Sequence, residues 1–232
     1  MPDIVIKSLD GKEFGAYAAL PKCGYGPGIV VIQEIFGVNV VMRAVCDDLA
    51  ARGYIAVCPD LFWRQEPGVQ LTDQSAAEWD HAFDLYKSFD VEAGVRDLLA
   101  TLAHIRRMKG CSGKVGAVGY CLGGKLAWLV ASRSDVDCAV SYYGVGLETL
   151  LGEVYDVRMP LMLHIAGQDK FVPPAAREKI LTSIARNPVI TAHVYPNADH
   201  AFARLNGQNF NKEAAELANG RATSFFAENL QG

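Results

Sequence analysis

The hydrophobic positions of this chain fall into short runs separated by longer amphipathic stretches. Each run is about five residues long and contains β-branched residues, which is typical of a strand buried on both faces. The runs occupy residues 28–32, 54–57, 114–118, 139–143, 161–165 and 191–195. Because helical stretches alternate with them, we predict an α/β fold with a mostly parallel, twisted sheet and helices on both faces.

Between the runs, apolar residues recur at the three- and four-residue spacing of helices. Such patterns join Val41 to Val45 and Leu49, and they extend over 91–105, 176–184 and a tail from about 210 to 230. Two weaker strands at 4–8 and 14–19 precede the first run and are joined at Asp10-Gly11. This arrangement predicts an antiparallel hairpin at the edge of the sheet.

The composition indicates one globular domain over residues 1–232, because 50% of the residues are hydrophobic and no linker interrupts them. The net charge of −4 is mild and the basic residues are scattered, so we expect no nucleic-acid partner and no membrane partner. No signal-peptide pattern or span-length apolar run is present, which favours a cytoplasmic protein. The cysteines lack zinc-ligand spacing and CxxC pairs, so no metal site is expected.

The segment Gly119-Tyr120-Cys121-Leu122-Gly123 lies between a predicted strand and a helix-forming stretch. It has the G-x-C-x-G form of a nucleophile elbow, with cysteine in the serine position. Glycine is needed on both sides because side chains would collide in so sharp a turn. The helix N-terminus favours a thiolate at Cys121, and the N–H of Leu122 would face an oxyanion. The motif alone leaves open a buried structural cysteine beside a glycine-rich turn.

In such folds an acid and then a histidine follow the nucleophile along the chain. Asp169 lies just beyond the 161–165 run, although an ordinary turn or helix cap would also explain it. His200 follows the last predicted strand, whereas the other four histidines lie in strand or helical segments. The neighbouring Asp199 is not the expected acid, since a triad acid reaches the imidazole from a separate loop. We therefore predict a triad of Cys121, His200 and Asp169.

Several further segments accompany this triad. They are Gln33-Glu34-Ile35-Phe36-Gly37, Cys58-Pro59-Asp60-Leu61, Gly119 to Gly124, Tyr142-Tyr143-Gly144, Gly167-Gln168-Asp169 and His200-Ala201-Phe202. Together they resemble the dienelactone hydrolases, or carboxymethylenebutenolidases, and the resemblance extends from about Val30 to the C-terminal helix. It implies an α/β-hydrolase fold without a lid domain, no cofactor, and hydrolysis of an enol-lactone by a Cys-His-Asp triad.

The resemblance also assigns roles to two residues that follow the first buried run. The family's equivalent of Glu34 lies near the resting cysteine and helps to generate the thiolate when substrate arrives. A carboxylate can accept a thiol proton where burial disfavours its charge, and an acid in a surface loop is the alternative. The N–H of Ile35 would supply the second oxyanion donor.

The substrate-binding residues are where this sequence departs from the family. The family's dienelactone enzymes hold the substrate carboxylate between two arginines, and Arg204 fills one of these places. An ungapped count puts Trp79 at the other. Because an indole makes no bidentate carboxylate contact, a bulkier and less anionic ester or lactone becomes plausible. The aromatic residues expected to line the pocket, or alternatively to pack in the core, are Phe36, Tyr86, Tyr143 and Phe171.

The sequence therefore predicts a carboxylic ester hydrolase of the carboxymethylenebutenolidase kind, acting as a monomer on a small ester or lactone. It would open an enol-lactone to an oxo acid through a thioester acyl-enzyme. Three alternatives stay open. They are a hydrolase of less anionic esters with no part in dienelactone breakdown, a cysteine-dependent acyltransferase, and a catalytically silent ligand or redox sensor.

Overall fold

The computed structural model describes residues 4–231, and the chain divides into two compact units, Met1–Ala117 and Val118–Gly232. The strands are β1 (Ile4–Lys7), β2 (Glu13–Ala19), β3 (Gly26–Ile32), β4 (Ile55–Pro59), β5 (Cys111–Tyr120), β6 (Cys138–Tyr142), β7 (Leu161–Ala166) and β8 (Ile190–Tyr195). The helices are α1 (Val40–Ala51), α2 (Ala76–Lys87), α3 (Val91–Arg107), α4 (Leu122–Arg133), α5 (Pro174–Ile184) and α6 (Lys212–Phe226). Among residues 4–231, no helix has the length and apolar character needed to span a membrane.

The first unit contains a mixed set of strands in the order β1-β2-β4-β3-β5. β1 and β2 pair antiparallel, with Ile4 opposite Ala16, and Gly11 has a positive φ of 85° in the turn between them. β2 is also antiparallel to β4, whereas β3 and β4 are parallel, with Gly28 opposite Ile55. The predicted N-terminal hairpin is therefore confirmed, and it supplies the antiparallel part of the sheet.

The second unit continues from the end of β5 in the order β6-β7-β8. Both pairs are parallel, with Ala139 opposite Leu161 in the first of them. Because parallel strands end at the same edge of a sheet, the loops after Tyr142, Ala166 and Tyr195 leave from one edge. In α/β folds this edge carries the ligand site.

The last strand, β8, is less buried than its sequence suggests. It ends the strand order, Thr191 is exposed, and Val194 keeps 37% of its surface. The prediction of a strand buried on both faces is wrong here. A β-branched run reports the tendency to form a strand, but its position at the sheet edge leaves it less covered.

Helix α1 begins where the sequence suggests, but it buries a different face. The side chain of Asn39 caps the helix by accepting hydrogen bonds from the N–H groups of Val41 and Met42. The buried positions are Met42, Cys46 and Ala50, whereas the predicted stripe of Val41, Val45 and Leu49 is half-buried. The small Cys46 and Ala50 allow the helix to approach the sheet closely, which local periodicity does not show.

The carboxylate of Asp97 in α3 anchors the segment that follows β4. It is fully buried and accepts hydrogen bonds from Trp63 Nε1 at 2.8 Å and from Arg64 Nη2 at 2.8 Å and Nε at 3.2 Å. We expect Asp97→Asn to lower the free energy of unfolding by about 3 kcal/mol, because it leaves the Arg64 charge without its buried partner. Urea denaturation measures this loss.

The matched control is Asp48→Asn. Asp48 pairs with Arg52 at 2.7 Å, but its side chain is largely exposed. Exposed ion pairs contribute less than about 1 kcal/mol, so this variant should unfold almost as the wild type does. Equal losses in the two variants would contradict the role given to Asp97.

Candidate active site

The turn between β5 and α4 holds Cys121 in a strained backbone conformation. Its φ of 56° and ψ of −114° lie outside the regions that residues with a side chain usually adopt. Backbone hydrogen bonds hold this conformation. Cys121 N donates to Tyr142 O at 3.1 Å, and Cys121 O accepts from Lys125 N at 3.2 Å and from Val145 N at 3.4 Å. The turn has the strand-to-helix geometry of a nucleophile elbow.

Two glycines make this turn sterically possible. A Cβ atom on Gly119 would lie 1.9 Å from the carbonyl oxygen of Gly123, which no side chain allows. A Cβ atom on Gly124 would lie 2.6 Å from the carbonyl oxygen of Tyr142, at the end of β6. The first glycine permits the turn, and the second permits the close approach of α4 to the β6 end.

Cys121 occupies the N-cap position of α4 without using its side chain as a cap. The thiol is 7% exposed, and Leu122, the first residue of the helix, is fully buried. The first N–H groups of a helix lack acceptors inside it, and the helix dipole places partial positive charge there. This environment stabilises negative charge on the sulfur and on an oxygen bound beside it.

His200 and Asp169 meet at the carboxyl edge of the second unit. His200 Nδ1 lies 2.8 Å from Asp169 Oδ2, and both side chains are buried. The second carboxylate oxygen accepts the N–H of Phe171 at 2.8 Å, which fixes the orientation of the acid. Asp199 instead accepts the backbone N–H of His200 at 2.6 Å, so the adjacent acid shapes the loop and leaves the imidazole to Asp169.

The loops that carry the acid and the histidine are held together through their backbones. Gly167 N donates to Tyr195 O at 2.8 Å, and Gln168 N donates to Ala198 O at 2.9 Å. A Cβ atom on Gly167 would lie 2.6 Å from the carbonyl oxygen of Pro196. These contacts set the spacing between Asp169 and His200, and they extend the β7–β8 pairing beyond the strands.

The ionisation of His200 depends on its two partners. Burial acts to lower the pKa of His200, but the negative charge of Cys121 and the hydrogen bonds to Asp169 and Cys121 outweigh it and raise the pKa to about 10. By contrast, burial lowers the pKa of His164, which has no acidic partner, to about 3. The imidazole of His200 is therefore protonated near neutral pH, with Cys121 and Asp169 as its side-chain hydrogen-bond partners.

Aromatic rings enclose the imidazole of His200. Tyr143 and Phe171 pack against it edge to face, with ring centroids 5.2 and 4.8 Å away. Tyr143 is buried and also contacts Phe202, whereas Phe171 is partly exposed and can contact a ligand. Arg204 is buried in the same loop region, and its N–H donates to Ala201 O at 2.9 Å.

The other predicted site residues belong to the first unit. Glu34 is 1% exposed and follows β3, and Ile35 and Phe36 after it are also buried. The loop is fixed by the N–H of Leu71, which donates to Phe36 O at 2.9 Å. A position at the carboxyl end of β3 agrees with the sequence expectation, and a surface loop does not describe Glu34.

Trp79 lies in α2 and is part of a row of aromatic rings. Its centroid is 5.0 Å from that of Phe36 and 5.5 Å from that of Phe83. Its Nε1 donates to Asp73 O at 3.1 Å, so the indole has a fixed orientation. Tyr86 is half-buried in the same helix. The structure thus brings Trp79 beside Phe36 as a rigid apolar wall.

Sequence reasoning missed the support of the histidine loop. Asn209 Nδ2 donates to His200 O at 3.0 Å, and Ala201 has a positive φ of 63°. No local motif indicates either feature, because Asn209 lies beyond the loop that it supports and alanine rarely adopts this conformation. Among residues 4–231, no cluster of three or more His, Cys, Asp or Glu side chains could hold a metal ion.

Comparisons with known proteins identify the family of this chain. The chain matches the family model "Dienelactone hydrolase family" over residues 14–230. A protein of Azospirillum brasilense, provisionally named carboxymethylenebutenolidase, is 52% identical over 99% of this chain and 100% of its own. The carboxymethylenebutenolidase of Pseudomonas putida is 47% identical over 97% of this chain and 95% of its own.

Solved structures extend this result to the fold. A crystal structure from Klebsiella pneumoniae, provisionally described as a dienelactone hydrolase, has a TM-score of 0.84 and 28% identity. The match covers 97% of this chain and 96% of that one. The strand order and the elbow define an α/β-hydrolase fold, as the sequence predicts. Within this fold class, the chain belongs to the dienelactone hydrolase family, whose members hydrolyse ester and lactone bonds.

The titration of His200 tests its interaction with Cys121 directly. In the variant Cys121→Ala, the pKa of His200 should fall from about 10, because the charge and the hydrogen bond that Cys121 contributes are lost. The pKa of His164 should remain near 3 in both proteins. Nitrogen NMR of labelled histidine across the pH range measures both values. An unchanged pKa of His200 would contradict its interaction with Cys121.

The raised pKa of His200 also has a defined effect on stability. Because the folded-state pKa is above the unfolded value of 6.5, the protonated imidazole stabilises the fold fully below pH 6.5. This contribution is lost as the pH rises through about 10. The difference in unfolding free energy between wild type and Cys121→Ala should shrink over the same interval.

Proposed function

We propose that this protein hydrolyses a lactone or carboxylic ester with Cys121 as the nucleophile. The observation that carries the proposal is the connected series of Cys121, His200 and Asp169, with the sulfur at the N-terminus of α4. The N-terminus of α4 favours a thiolate at Cys121, and the acid fixes the tautomer and orientation of the imidazole. Membership of a family of ester and lactone hydrolases supports the reaction class.

In the first step, the thiolate of Cys121 attacks the carbonyl carbon of the substrate. A carbon–sulfur bond forms, and the carbonyl oxygen takes the negative charge near the N–H of Leu122. The sequence-based role of Ile35 is to donate a second N–H to this oxygen. When the ester C–O bond breaks, the imidazolium of His200 can protonate the leaving oxygen. The result is a thioester and a neutral imidazole.

In the second step, water attacks the thioester. The neutral imidazole of His200 takes a proton from the water, and Asp169 stabilises the charge that develops on the ring. The carbon–sulfur bond breaks, the product acid leaves, and thiolate and imidazolium are restored. The sequence-based role of Glu34 is to favour the thiolate when substrate arrives.

The substrate class follows from the leaving group and from the pocket residues. An enol-lactone releases a stabilised enolate, so it needs little acid assistance and suits a cysteine nucleophile. Relatives named carboxymethylenebutenolidase favour this type of substrate. The fixed, apolar indole of Trp79 favours a second candidate, an ester or lactone with less negative charge.

The nucleophile is tested with Cys121→Ser and Cys121→Ala. Both should lose hydrolysis of an enol-lactone or aryl ester by about a thousandfold or more, because the serine hydroxyl has no thiolate character. Acid quenching of the wild type followed by mass spectrometry should detect an acyl group on the peptide that contains Cys121. Cys23→Ser changes an exposed cysteine and should leave turnover unchanged.

Two outcomes would exclude this chemistry. Full lactone turnover by Cys121→Ser would show that the sulfur is not required. Transfer of the acyl group to an added alcohol, with no free acid in water, would identify an acyltransferase.

The charge of the substrate is tested with Trp79→Arg. If Trp79 takes the place of a carboxylate-binding arginine, this variant should gain kcat/KM on an anionic dienelactone by roughly tenfold, through a bidentate contact. A neutral aryl ester should show no such gain. The matched control is Phe83→Arg, which changes the adjacent ring of the same row. Equal behaviour of the two variants would contradict the assignment of Trp79.

A further inference from the structure

A cavity of about 330 Å³ lies in the first unit, between β2, the start of α1 and the loop 67–70. Its walls include Phe14, Tyr17, Val38, Arg43, Asp60 and Trp63. The volume is within the range of small-ligand sites in proteins. None of these residues belongs to the hydrolytic chemistry proposed above, so the cavity needs its own explanation.

The cationic group of this cavity is the guanidinium of Arg43. Its Nε donates to Val38 O at 3.2 Å, and its central carbon lies 4.9 Å from the centroid of the Tyr17 ring. Within the described residues 4–231, its two terminal nitrogens have no hydrogen-bond acceptor and no carboxylate partner. A guanidinium that is fixed at one nitrogen and stacked on a ring presents its remaining donors as a fork for a planar anion.

The acidic groups of the cavity do not occupy this fork. Asp60 is buried, and its two oxygens accept the N–H groups of Phe62 at 3.0 Å and Gly68 at 2.7 Å. Burial raises the pKa of Asp60, against the effect of these hydrogen bonds. Glu13 is exposed to solvent, which screens its charge. The carboxylate of Asp60 is therefore bound to backbone N–H groups, and the terminal nitrogens of Arg43 stay available to an anion.

The rest of the cavity is mostly apolar and includes the rings of Phe14, Tyr17 and Trp63. Phe14 is buried and stacks on Trp63, with centroids 5.5 Å apart and an interplanar angle of 17°. Val38 and Val69 add aliphatic surface. Because Phe14 stacks on Trp63 and the Arg64 guanidinium lies 4.1 Å from the Trp63 centroid, a ligand ring would meet these side chains through edge contacts, which add to the burial of apolar area. We propose that this cavity binds a small aromatic carboxylate, with its anionic group on Arg43 and its ring against Phe14 and Trp63.

A ligand in this cavity would contact Val69 and Gln70, which hold the loop that follows β3. Gly37 forms an isolated bridge with Gln70, and a Cβ atom on Gly37 would lie 2.0 Å from Val69 O. Val69 and Gln70 line the cavity and also hold this loop. Occupancy should therefore protect the amides of residues 36–38 from hydrogen exchange, in addition to those of the cavity wall.

Calorimetric titration with benzoate tests the proposal. The wild type should bind benzoate, and Arg43→Gln should bind it at least about tenfold more weakly, because the guanidinium–carboxylate contact is lost. Benzamide has the same shape without the charge, and it should bind the wild type correspondingly more weakly. The matched control is Arg52→Gln, which removes an exposed arginine paired with Asp48 outside the cavity and should bind as the wild type does.

Further variants keep the result unambiguous. If Arg43→Gln does not fold, Arg43→Lys keeps the charge, removes the fork and should weaken benzoate severalfold. Benzoate binding that is lost in Arg204→Gln and kept in Arg43→Gln would place the ligand in the proposed hydrolytic site and overturn the inference. Equal binding of benzamide and benzoate, or no binding at millimolar concentrations, would also overturn it. None of these results depends on whether Cys121 is the nucleophile.

Discussion

The backbone of Cys121 is the constraint on which the proposed chemistry depends. A residue with a side chain pays roughly 1–2 kcal/mol to adopt a positive φ, and this turn persists because its surroundings leave no alternative. Gly119 lacks the Cβ atom that would block the turn, and Gly124 lacks the one that would keep α4 away from the end of β6. The same turn places the sulfur at the first N–H groups of α4. A relaxed turn would separate the thiol from the helix terminus and from His200 together.

The charge of His200 depends on several interactions that act together. Burial by itself favours a neutral imidazole, as His164 demonstrates with its lowered pKa. At His200 the interactions with Cys121 and Asp169 reverse this effect, so the buried imidazole is held in its protonated form. Such a buried charge is stable only when its partners are held in position. Tyr143 and Phe171 restrict the ring, and Asn209 fixes the backbone of the loop.

Under the proposed function, the first unit bears on substrate choice through a row of aromatic rings. Trp79, Phe36 and Phe83 form a row of rings whose orientation is fixed by packing and by one indole hydrogen bond. An apolar wall favours ligands that fit its shape and bury apolar area, whereas an arginine favours negatively charged ligands. A fixed cation lies away from this row of rings, at Arg43 in the cavity beside β2. The terminal nitrogens of its guanidinium have no acceptor among the described residues. Anion recognition and ester chemistry therefore need not involve the same residues.

Features encoded by neighbouring residues can be predicted from the sequence alone. Strand runs, helix stripes, the Asp10-Gly11 hairpin and the elbow glycines all follow from spacing over a few positions. The order of Cys121, Asp169 and His200 along the chain was also sufficient to suggest a triad. Membership of the dienelactone hydrolase family was recognisable from six short segments. These signals are local, and each has a steric or periodic cause.

The contacts between distant segments depend on the tertiary fold and cannot be predicted from local sequence. Asp169 and His200 are 31 positions apart, and the hydrogen bonds of Gly167 and Gln168 to the following loop set their separation. The buried face of α1, the exposure of β8 and the cavity at Arg43 likewise depend on which element covers which. Hydrophobic period indicates the type of an element but not its neighbours, because register and packing arise from contacts between residues far apart in the chain.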